Sequence, residues 1–415
     1  MLLGTKIRLI PTPEQEAQFR RSAGIARWAY NRFLGENEEL YKKHKEDPIA
    51  NPVKGISQMD FRKNITKLKK EEEFTWLNEV SNNVVKRTVM DADLAKQRYL
   101  KGLAGKPRFK SKYHEIPRFY VNYESLKRTD IGFQGERLGN VKTAEPLPKL
   151  KPGKHYSNPR ISYTGKFWVL SVGYKTEDLT KESNKIYWKR IESKKGQNSD
   201  KSLGIDVGIK DQAIVSDEKA EFTKVYPNIN KTPKMRKLEK KRKREQRCLS
   251  RKTEANVKSR NKNGKPSFKR KFFECRNYQK QRKKVQAVQN RLTSIRENYI
   301  HQVTTELVKL RPRRIIHENL NVRGMMKNHH LARAIANQKL SEFLSMLDYK
   351  ARKYGIEIVV ADRWFPSSKL CSACGSKKID LTLKDRTYIC KECGFVMDRD
   401  LNAAVNLANY LNKVA

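Results

Sequence analysis

The stretch "CSACGSKKIDLTLKDRTYICKECGFVMDRDLNAAVNLANYL", residues 371–411, joins four cysteines directly to an acidic run and a helical pattern. Cys371 and Cys374 form one CxxC pair, Cys390 and Cys393 form a second, and 15 residues separate the two pairs. A glycine follows each pair, which permits the tight knuckle turns of a zinc ribbon. Two repeated knuckles favour this interpretation over a thioredoxin-like redox pair. The sequence therefore predicts a structural Zn²⁺ held by four thiolates.

The residues after the second cysteine pair have the pattern of a helix that begins with acids. Apolar residues recur there at helical spacing, at Leu401, Ala404, Val405, Ala408 and Leu411. Asp398 and Asp400 both stand near the predicted helix start. Because aspartate is a favoured N-cap residue, either of them can be present for the helix alone.

Two further carboxylates accompany apolar, strand-like runs. In "LGIDVGI", residues 203–209, Asp206 points away from the apolar side chains and has a glycine on either side of it on its own face. Glycine in a strand often marks a close approach, so open space for a metal ion and a phosphate is expected there. In "RRIIHENL", residues 313–320, Glu318 ends a second apolar run. Taken alone, Asp206 is equally consistent with an ordinary strand-end aspartate, and Glu318 carries less weight.

The combination of these acids is more specific than any one of them. Carboxylates from two strands and a helix start would repel one another unless divalent cations held them together. Two Mg²⁺ ions about 3.5 to 4 Å apart, or Mn²⁺ in their place, would do so and would support phosphodiester hydrolysis. Magnesium accepts a few carboxylates together with water and phosphate oxygens.

The charge of the chain indicates a polyanionic partner. Lys and Arg number 91 against 45 Asp and Glu, a formal charge of +46, which would destabilise a compact fold unless a polyanion neutralised it. Nucleic acid is the favoured partner over a protein whose charged faces are merely solvated. Residues 231–284 hold 24 Lys and Arg and only 4 Asp and Glu. We expect this block to form helices with a few apolar anchors and to line a groove for phosphates, with Lys241, Arg242 and Arg244 as candidate contacts.

The first half of the chain alternates between strand and helix patterns. "GTKIRLIP", residues 4–11, predicts a half-buried strand, and Thr12 then begins a helix with a capping box. Helical spacing continues to about Leu103, with aromatic residues expected in the core. After residue 159 the alternation returns, with a hairpin turn predicted at Thr164 and Gly165.

A basic segment with interleaved aromatic residues separates the helical block from these strands. "GKPRFKSKYHEIPRFYV", residues 105–121, contains Arg108, Lys110 and Lys112, which are candidate nucleic-acid contacts. A Lys-, Ser- and Asn-rich linker is expected to end near Ser199.

Targeting signals and membrane spans are not expected. The residues "MLLGTKIRLIPTPEQ" have only a short apolar run and no cleavage site for a signal peptidase. No segment approaches the roughly 18 consecutive apolar residues of a membrane span. We therefore expect a cytoplasmic protein, associated with the nucleoid of a prokaryote and with no membrane partner.

Five motifs in order resemble the transposon-encoded TnpB family and the related compact type V CRISPR nucleases. They are "GIDVGIKDQAIVSD", "IIHENL", "PSSKLCSACG", "YICKECG" and "DRDLNAAVNLA", and the match runs from Leu203 to Leu411. The length of the chain and the "GKPRFKSK" segment also agree with that family. Five motifs in the same order are far more specific than any single one.

The resemblance implies an α+β multidomain protein. It predicts a RuvC-like nuclease domain of ribonuclease H fold with a zinc-ribbon insertion, and an N-terminal oligonucleotide-binding-like β-barrel, the wedge, interrupted by a helical recognition domain. The expected boundaries are 1–12 and 113–199 for the wedge, 13–112 for the recognition domain, 200–370 and 394–415 for the RuvC-like domain, and 371–393 for the zinc module.

The resemblance also assigns the acids. The catalytic, magnesium-binding residues fall on Asp206, Glu318 and Asp400, the last because the family's acid precedes the Asn of "NAA", here Asn402, by two positions. Asp398 is the alternative. One departure is that Asn319 follows the glutamate, where the family often has a second acid.

The resemblance implies that the protein is an RNA-guided DNA endonuclease. It is expected to bind a guide RNA, to recognise a short motif beside the target, and to cut double-stranded DNA and its unwound strands at one metal-dependent site. A guide-directed repressor without cleavage and a guide-independent junction resolvase are the alternatives. The source of the guide RNA stays open, as does the choice between monomer and homodimer.

Overall fold

The structure is a computed structural model that describes residues 2–112, 115–175, 201–272, 274–382 and 385–414. It divides into two compact units, Met1–Thr176 and Glu177–Ala415, each with its own sheet and helices. The chain is thus an α+β multidomain protein, as predicted. The linker expected near Ser199 lies outside the described residues.

The first unit contains a seven-stranded antiparallel sheet. Its strands are β1 (Leu2–Ile10), β2 (Arg118–Tyr120), β3 (Lys127–Arg128), β4 (Gly132–Gly135), β5 (Gly139–Thr143), β6 (Ser157–Tyr163) and β7 (Trp168–Lys175). They pair in the order β2-β6-β7-β1-β5-β4-β3. Among the residues described, β2 and β3 are therefore the edges of the sheet, and strand pairing between them does not close a barrel.

A helical block separates β1 from β2 in this unit. It comprises α1 (Pro13–Glu46), α2 (Gln58–Leu68), a 3₁₀ helix (Glu72–Glu79) and α3 (Asn82–Leu100). The predicted capping box is present, because the Gln15 amide N–H donates to the Thr12 hydroxyl at 3.3 Å and the Thr12 amide N–H donates to the Gln15 side chain at 3.1 Å. Both the start of the first helix and the helical character of the block are confirmed.

Aromatic residues of the block pack into the core, as expected. Phe19 and Phe33 are fully buried. The Phe19 ring lies 5.3 Å from the Trp168 ring, so helix α1 and strand β7 share one core. The β6–β7 hairpin is also confirmed, since the Thr164 amide N–H donates to the Phe167 carbonyl at 2.9 Å across a turn in which Gly165 has a φ of +90°.

The second unit contains a mixed five-stranded sheet and two short hairpins. Its strands are β8 (Ser202–Asp206), β9 (Asp211–Ser216), β10 (Thr223–Pro227), β11 (Val257–Arg260), β12 (Pro266–Phe268), β13 (Arg314–Glu318), β14 (Glu357–Ala361), β15 (Thr387–Ile389) and β16 (Val396–Asp398). The main sheet has the order β10-β9-β8-β13-β14. The pairs within β10-β9-β8 are antiparallel, whereas β8, β13 and β14 run parallel.

Helices cover both faces of this sheet. They are α4 (Pro233–Ala255), α5 (Arg276–Lys309), α6 (Val322–Met325), α7 (His329–Gln338), α8 (Leu340–Tyr354), α9 (Arg399–Ala408) and α10 (Tyr410–Val414). Leu203 and Ile205 of β8 share a core with Leu307 of α5 and Leu347 of α8. Helix α9 packs on the opposite face of β8.

The cationic block forms a helical hairpin made by α4 and the first half of α5. Met235, Val288 and Leu292 form its small apolar cluster, which confirms the prediction of helices with sparse anchors. The segment between the two helices contains the β11–β12 hairpin. Within the described residues, no helix has the length and apolar character needed to cross a membrane.

Candidate active site and metal centre

Asp206 and Glu318 end two neighbouring parallel strands. Asp206 is the last residue of β8 and Glu318 is the last residue of β13. His317 lies opposite Ile205 in the register of these strands, so the two acids occupy the next positions along each strand. Because carboxyl ends of parallel strands meet at one edge of a sheet, both carboxylates lie at the same edge.

Helix α9 is placed beside these acids by a glycine. A Cβ atom at Gly204 would lie 1.9 Å from the carbonyl oxygen of Ala404 and 2.3 Å from the amide nitrogen of Ala408. The absence of a side chain at Gly204 therefore lets the backbone of α9 rest directly on β8. The prediction that Gly204 leaves open space for a metal ion and a phosphate is wrong, because the backbone of α9 fills that space.

The packing of α9 places a third acid in the electrostatic environment of Asp206. Burial is the largest cause that raises the pKa of Asp206 to about 8, and the nearby carboxylates of Glu318 and Asp400 raise it further. Arg399 opposes this effect. A buried carboxyl group whose pKa is raised by neighbouring carboxylates has the character of a cation site.

Asp398 and Asp400 have different roles at the start of α9. Asp398 is the N-cap residue, and its Oδ1 accepts hydrogen bonds from the amide groups of Asp400 and Leu401 at 3.0 and 3.1 Å. Its other oxygen lies 3.7 Å from Nζ of Lys210. Asp400 lies in the first turn and accepts from the Arg399 guanidinium at 2.8 Å. The N-cap function thus accounts for Asp398 and not for Asp400.

Ser367 contacts Glu318, and the sequence did not predict this contact. Its buried hydroxyl donates to a carboxylate oxygen of Glu318. The residue stands in the loop between β14 and the first cysteine pair, more than 40 positions along the chain from Glu318, so no local pattern indicates the contact. Arg399 was also missed, because a basic residue between two acids reads as ordinary charge alternation.

The four cysteines form a compact group. Their sulfur atoms all lie within 4.8 Å of one another, and among the described residues no other group of three or more potential ligands is this close. The Sγ atoms of Cys371 and Cys393 are 3.7 Å apart, and those of Cys374 and Cys390 are 3.6 Å apart. Thiolates about 2.3 Å from one tetrahedral Zn²⁺ would lie about 3.8 Å apart. The group therefore fits a zinc ion.

The two cysteine pairs have the same backbone geometry. Gly375 and Gly394 adopt φ values of +79° and +70°. Each of these glycines donates its N–H to the carbonyl of the first cysteine in its pair, at 3.0 and 3.1 Å. The positive φ values explain why glycine follows each pair.

Two buried asparagines of α9 hold the entry to the cysteine segment. Asn402 donates to the Leu370 carbonyl at 2.7 Å and accepts from the Ser372 amide at 3.0 Å. Asn406 donates to the carbonyls of Ser367 and Leu370, both at 2.7 Å. Neither asparagine is exposed to solvent. The helix that carries Asp400 is therefore bonded to the segment that begins the cysteine group.

The candidate nucleic-acid contacts of the first unit differ in environment. Arg108 and Lys112 are exposed. Lys110 is mostly shielded, with Nζ only 3.3 Å from the centre of the Tyr30 ring, and burial lowers its pKa to about 8. This cation–π contact explains Lys110 without a nucleic-acid partner.

The candidate nucleic-acid contacts of the second unit also differ in their exposure to solvent. Lys241 and Arg244 are exposed on α4. Arg242 is partly buried, and its Nε donates to Glu239 at 2.9 Å. Glu239 also accepts from Arg296 at 3.0 Å and from Arg333 at 3.1 Å. Arg242 thus belongs to an ion-pair network that stabilises the helical hairpin.

Comparison with known proteins identifies the family. A relative from Streptomyces pristinaespiralis described as "Putative RNA-guided DNA endonuclease" is 30% identical over 410 residues, which cover 97% of this chain and 87% of that protein. The chain belongs to the TnpB-type RNA-guided DNA endonuclease family. A second member, described as "Putative RNA-guided DNA endonuclease InsQ" from Escherichia coli (strain K12), is 26% identical over 97% of this chain and 90% of its own.

Three family models match parts of this TnpB-type chain. They are described as "Helix-turn-helix domain" for residues 1–46, "Probable transposase" for residues 184–329 and "Cas12f1-like, TNB domain" for residues 341–407. Residues 2–46 form one strand and one long helix, not two helices joined by a turn. A solved "Cas12f1-sgRNA-target DNA complex" aligns over 99% of both chains with 15% identity and a TM-score of 0.35, values that support no inference about this chain.

Proposed function

We propose that the protein is an RNA-guided DNA endonuclease whose single hydrolytic site is formed by Asp206, Glu318 and Asp400. The observation that carries the proposal is that two of these acids end neighbouring parallel strands, while Glu318 and Asp400, the latter in the first turn of α9, both raise the pKa of Asp206. The names of the family members supply the substrate class and the guide RNA. Guide RNA, target DNA and its unwound strands are the proposed partners.

The sheet of the second unit supports a RuvC-like, ribonuclease H-type assignment. Three antiparallel strands are followed by two parallel ones, with a first acid on the central strand β8 and a second on the adjacent strand β13. The assignment of the fold supports the assignment of the site, because Asp206 and Glu318 are the last residues of two neighbouring strands of this sheet.

The donor set fits divalent metal ions. Carboxylate oxygens are the ligands that Mg²⁺ prefers, and Mn²⁺ accepts them as well. Burial and the neighbouring acids raise the pKa of Asp206 to about 8, a repulsion that bound cations would offset. When bound, two such ions would supply an activated water and would neutralise charge on the phosphate and the leaving oxygen.

The protein's own groups orient the acids. The Ser367 hydroxyl fixes one oxygen of Glu318, and the Arg399 guanidinium fixes one oxygen of Asp400. Asp398 secures the start of α9 as its N-cap. These contacts hold the carboxylates in place before substrate and metal arrive, which lowers the cost of assembling the site.

A structural Zn²⁺ on Cys371, Cys374, Cys390 and Cys393 is proposed for the cysteine group. Four thiolates would complete the coordination of the ion and leave no position for substrate. The pairing of β16 with β15, and the direct connection from β16 into α9, support a module at 371–393 whose exit strand ends next to the proposed site. We propose that it presents target nucleic acid to the acids.

The remaining domain assignments are also proposals. The first unit, with strands on either side of a helical block, supports a recognition domain at 13–112 and the described part of a wedge at 1–12 and 113–199. Residues 176–199 of that proposed wedge lie outside the described residues. Arg108 and Lys112 in the first unit, and Lys241 and Arg244 in the second, are exposed cations that would contact phosphates.

One experiment separates this function from its alternatives. The protein is purified with its associated RNA, the RNA is sequenced, and a plasmid that carries the complementary target is incubated with the complex and Mg²⁺. Guide-dependent cleavage is expected. Binding without any nick would favour the repressor, and cleavage of branched DNA by RNA-free protein would favour the resolvase. The RNA sequence would also reveal whether the guide comes from a transposon end or a CRISPR array.

A further inference from the structure

Trp364 is exposed to an unusual degree. The chain has five tryptophans, of which Trp188 lies outside the described residues. Trp168 is 2% exposed, and Trp28 and Trp76 are partly buried against each other. Trp364 is 84% exposed. A large aromatic ring in water loses the free energy that its burial would supply, so the exposure calls for a partner.

The loop that carries Trp364 is held on both sides. The Trp364 amide N–H donates to Oδ1 of Asp362 at 2.7 Å, and the Asp362 amide N–H donates to the Tyr410 hydroxyl at 3.1 Å. On the other side, the ring of Phe365 packs edge-to-face on the Tyr410 ring at 4.9 Å. The backbone of Trp364 is thus fixed while its indole ring faces solvent.

The same loop reaches the candidate active site. Ser367, three residues after Trp364, donates to Glu318, and Asn406 of α9 donates to the Ser367 carbonyl at 2.7 Å. Three residues span at most about 11 Å of extended chain. The backbone of Trp364 therefore lies within about 11 Å of that of Ser367, which contacts the proposed catalytic acid. Arg363, beside it in the chain, is also exposed and adds positive charge.

We propose that Trp364 is a stacking platform for a base of the single DNA strand that enters the site. This inference rests on the proposed function, because it takes the substrate of the acids to be an unwound strand. Every base offers a flat face, so an indole ring can position a strand without selecting its sequence. Arg363 suits the adjacent phosphate. A protein partner on this ring is the competing occupant.

The test measures binding apart from cleavage. Full-length protein that carries Asp206→Asn is combined with its guide RNA and titrated with single-stranded oligo(dT) of about 12 nucleotides, a length typical of single-strand sites. Tryptophan fluorescence and affinity are recorded for this protein and for versions that also carry Trp364→Leu or Trp364→Phe. Trp76→Phe in the same background is the matched control for loss of a shielded tryptophan.

Stacking predicts that oligo(dT) quenches the fluorescence, that Trp364→Leu removes most of the quenching and weakens binding about tenfold, and that Trp364→Phe keeps affinity within about threefold. The Trp76→Phe protein should behave like its parent. Unchanged affinity and quenching in Trp364→Leu would overturn the inference, as would equal binding of an abasic oligonucleotide, which has no base to stack.

These titrations can be distinguished from a failure of the proposed function. If protein without substitutions does not cut a guide-matched plasmid, the proposed function is contradicted whatever Trp364 binds. If that protein cuts the plasmid, and the Trp364→Leu variant binds oligo(dT) as tightly as its parent with Trp364 intact, only the stacking inference fails.

Discussion

The side-chain amide of Asn406 donates to the carbonyl oxygen of Leu370 at 2.7 Å, with no exposure of the asparagine to solvent. Leu370 immediately precedes the first cysteine, and Asn406 lies on the helix that carries Asp400 in its first turn. This bond is one of several that connect the segment at the start of the cysteine module to the helix of the candidate active site. The first prediction follows from this contact.

Asn406→Ala should lower the free energy of unfolding by about 1 to 3 kcal/mol, because the Ser367 carbonyl loses its buried partner and the Leu370 carbonyl loses one of two. Zinc content should stay unchanged, since no sulfur atom is affected. Urea denaturation and metal analysis measure both quantities. Asn412→Ala, at an exposed position of α10, is the control. Equal stability of the two variants would show that the contact does not hold the module.

Gly204→Ala should destabilise the second unit severely. The added Cβ would lie 1.9 Å from the backbone of Ala404, and neither element can move without disturbing the sheet. We expect a loss of about 3 kcal/mol or more, at the upper end of overpacking effects. Gly208→Ala is a matched control, since its Cβ would meet only ordinary contacts, the nearest at 3.6 Å. Thermal denaturation should separate the variants, and similar melting temperatures would contradict the packing of α9 on β8.

Cys374→Ser should abolish binding of the predicted zinc ion. Loss of one thiolate leaves three ligands and an open position on a site that otherwise closes around the metal. Metal analysis of purified protein should find about one zinc per chain before the substitution and far less after it. Cys248→Ser, at a cysteine outside the group, should leave zinc content unchanged. Full zinc occupancy in Cys374→Ser would exclude the four-thiolate assignment.

Glu239→Gln should destabilise the helical hairpin by about 1 to 3 kcal/mol, because the buried Arg296 loses its charged partner. Burial raises the pKa of Glu239, but hydrogen bonds from Arg242 and Arg296 outweigh burial and bring this pKa below its usual value. A carboxyl group with a lowered pKa stabilises the fold fully at pH values above its unfolded-state pKa of about 4.3. This stabilisation is lost as the pH falls below that value and through the lower pKa of the folded state.

The stability difference between Glu239→Gln and the parent protein should therefore be full at pH 7 and shrink below about pH 4, as urea denaturation across pH can measure. Glu254→Gln removes an exposed pair with Arg260 and should change stability by less than about 1 kcal/mol. A pH-independent difference for Glu239→Gln would contradict the ionic role of Glu239.

The sequence predicts those parts of the fold and site that depend on local patterns. Alternation identified β1, the capping box placed the start of α1, and CxxC spacing identified four cysteines that the structure brings within 4.8 Å of one another. Asp206 and Glu318 were candidates because each accompanies an apolar, strand-like run, and the resemblance to the TnpB family assigned their catalytic role. In all of these cases the signal lies within a few residues of the feature it predicts.

What escaped prediction depends on long-range packing. Gly204 was interpreted as space for a ligand, and only the position of α9, some 200 residues later in the chain, shows that a helix backbone fills it. The contact between Ser367 and Glu318 has no sequence signal. Asn402 and Asn406, in contrast, did have a sequence signal. Two polar residues four positions apart on a mostly apolar helix lie on the same face and indicate a shared buried partner.

The central claim is that Asp206, Glu318 and Asp400 form one hydrolytic site, and guide-programmed plasmid cleavage with Mg²⁺ tests it most directly. Asp206→Asn and Asp400→Asn should each abolish cleavage while guide RNA binding is retained, and Asp398→Asn should still cut, since an asparagine caps a helix nearly as well as an aspartate. Undiminished cleavage by Asp206→Asn, or loss of cleavage in Asp398→Asn but not in Asp400→Asn, would contradict the account.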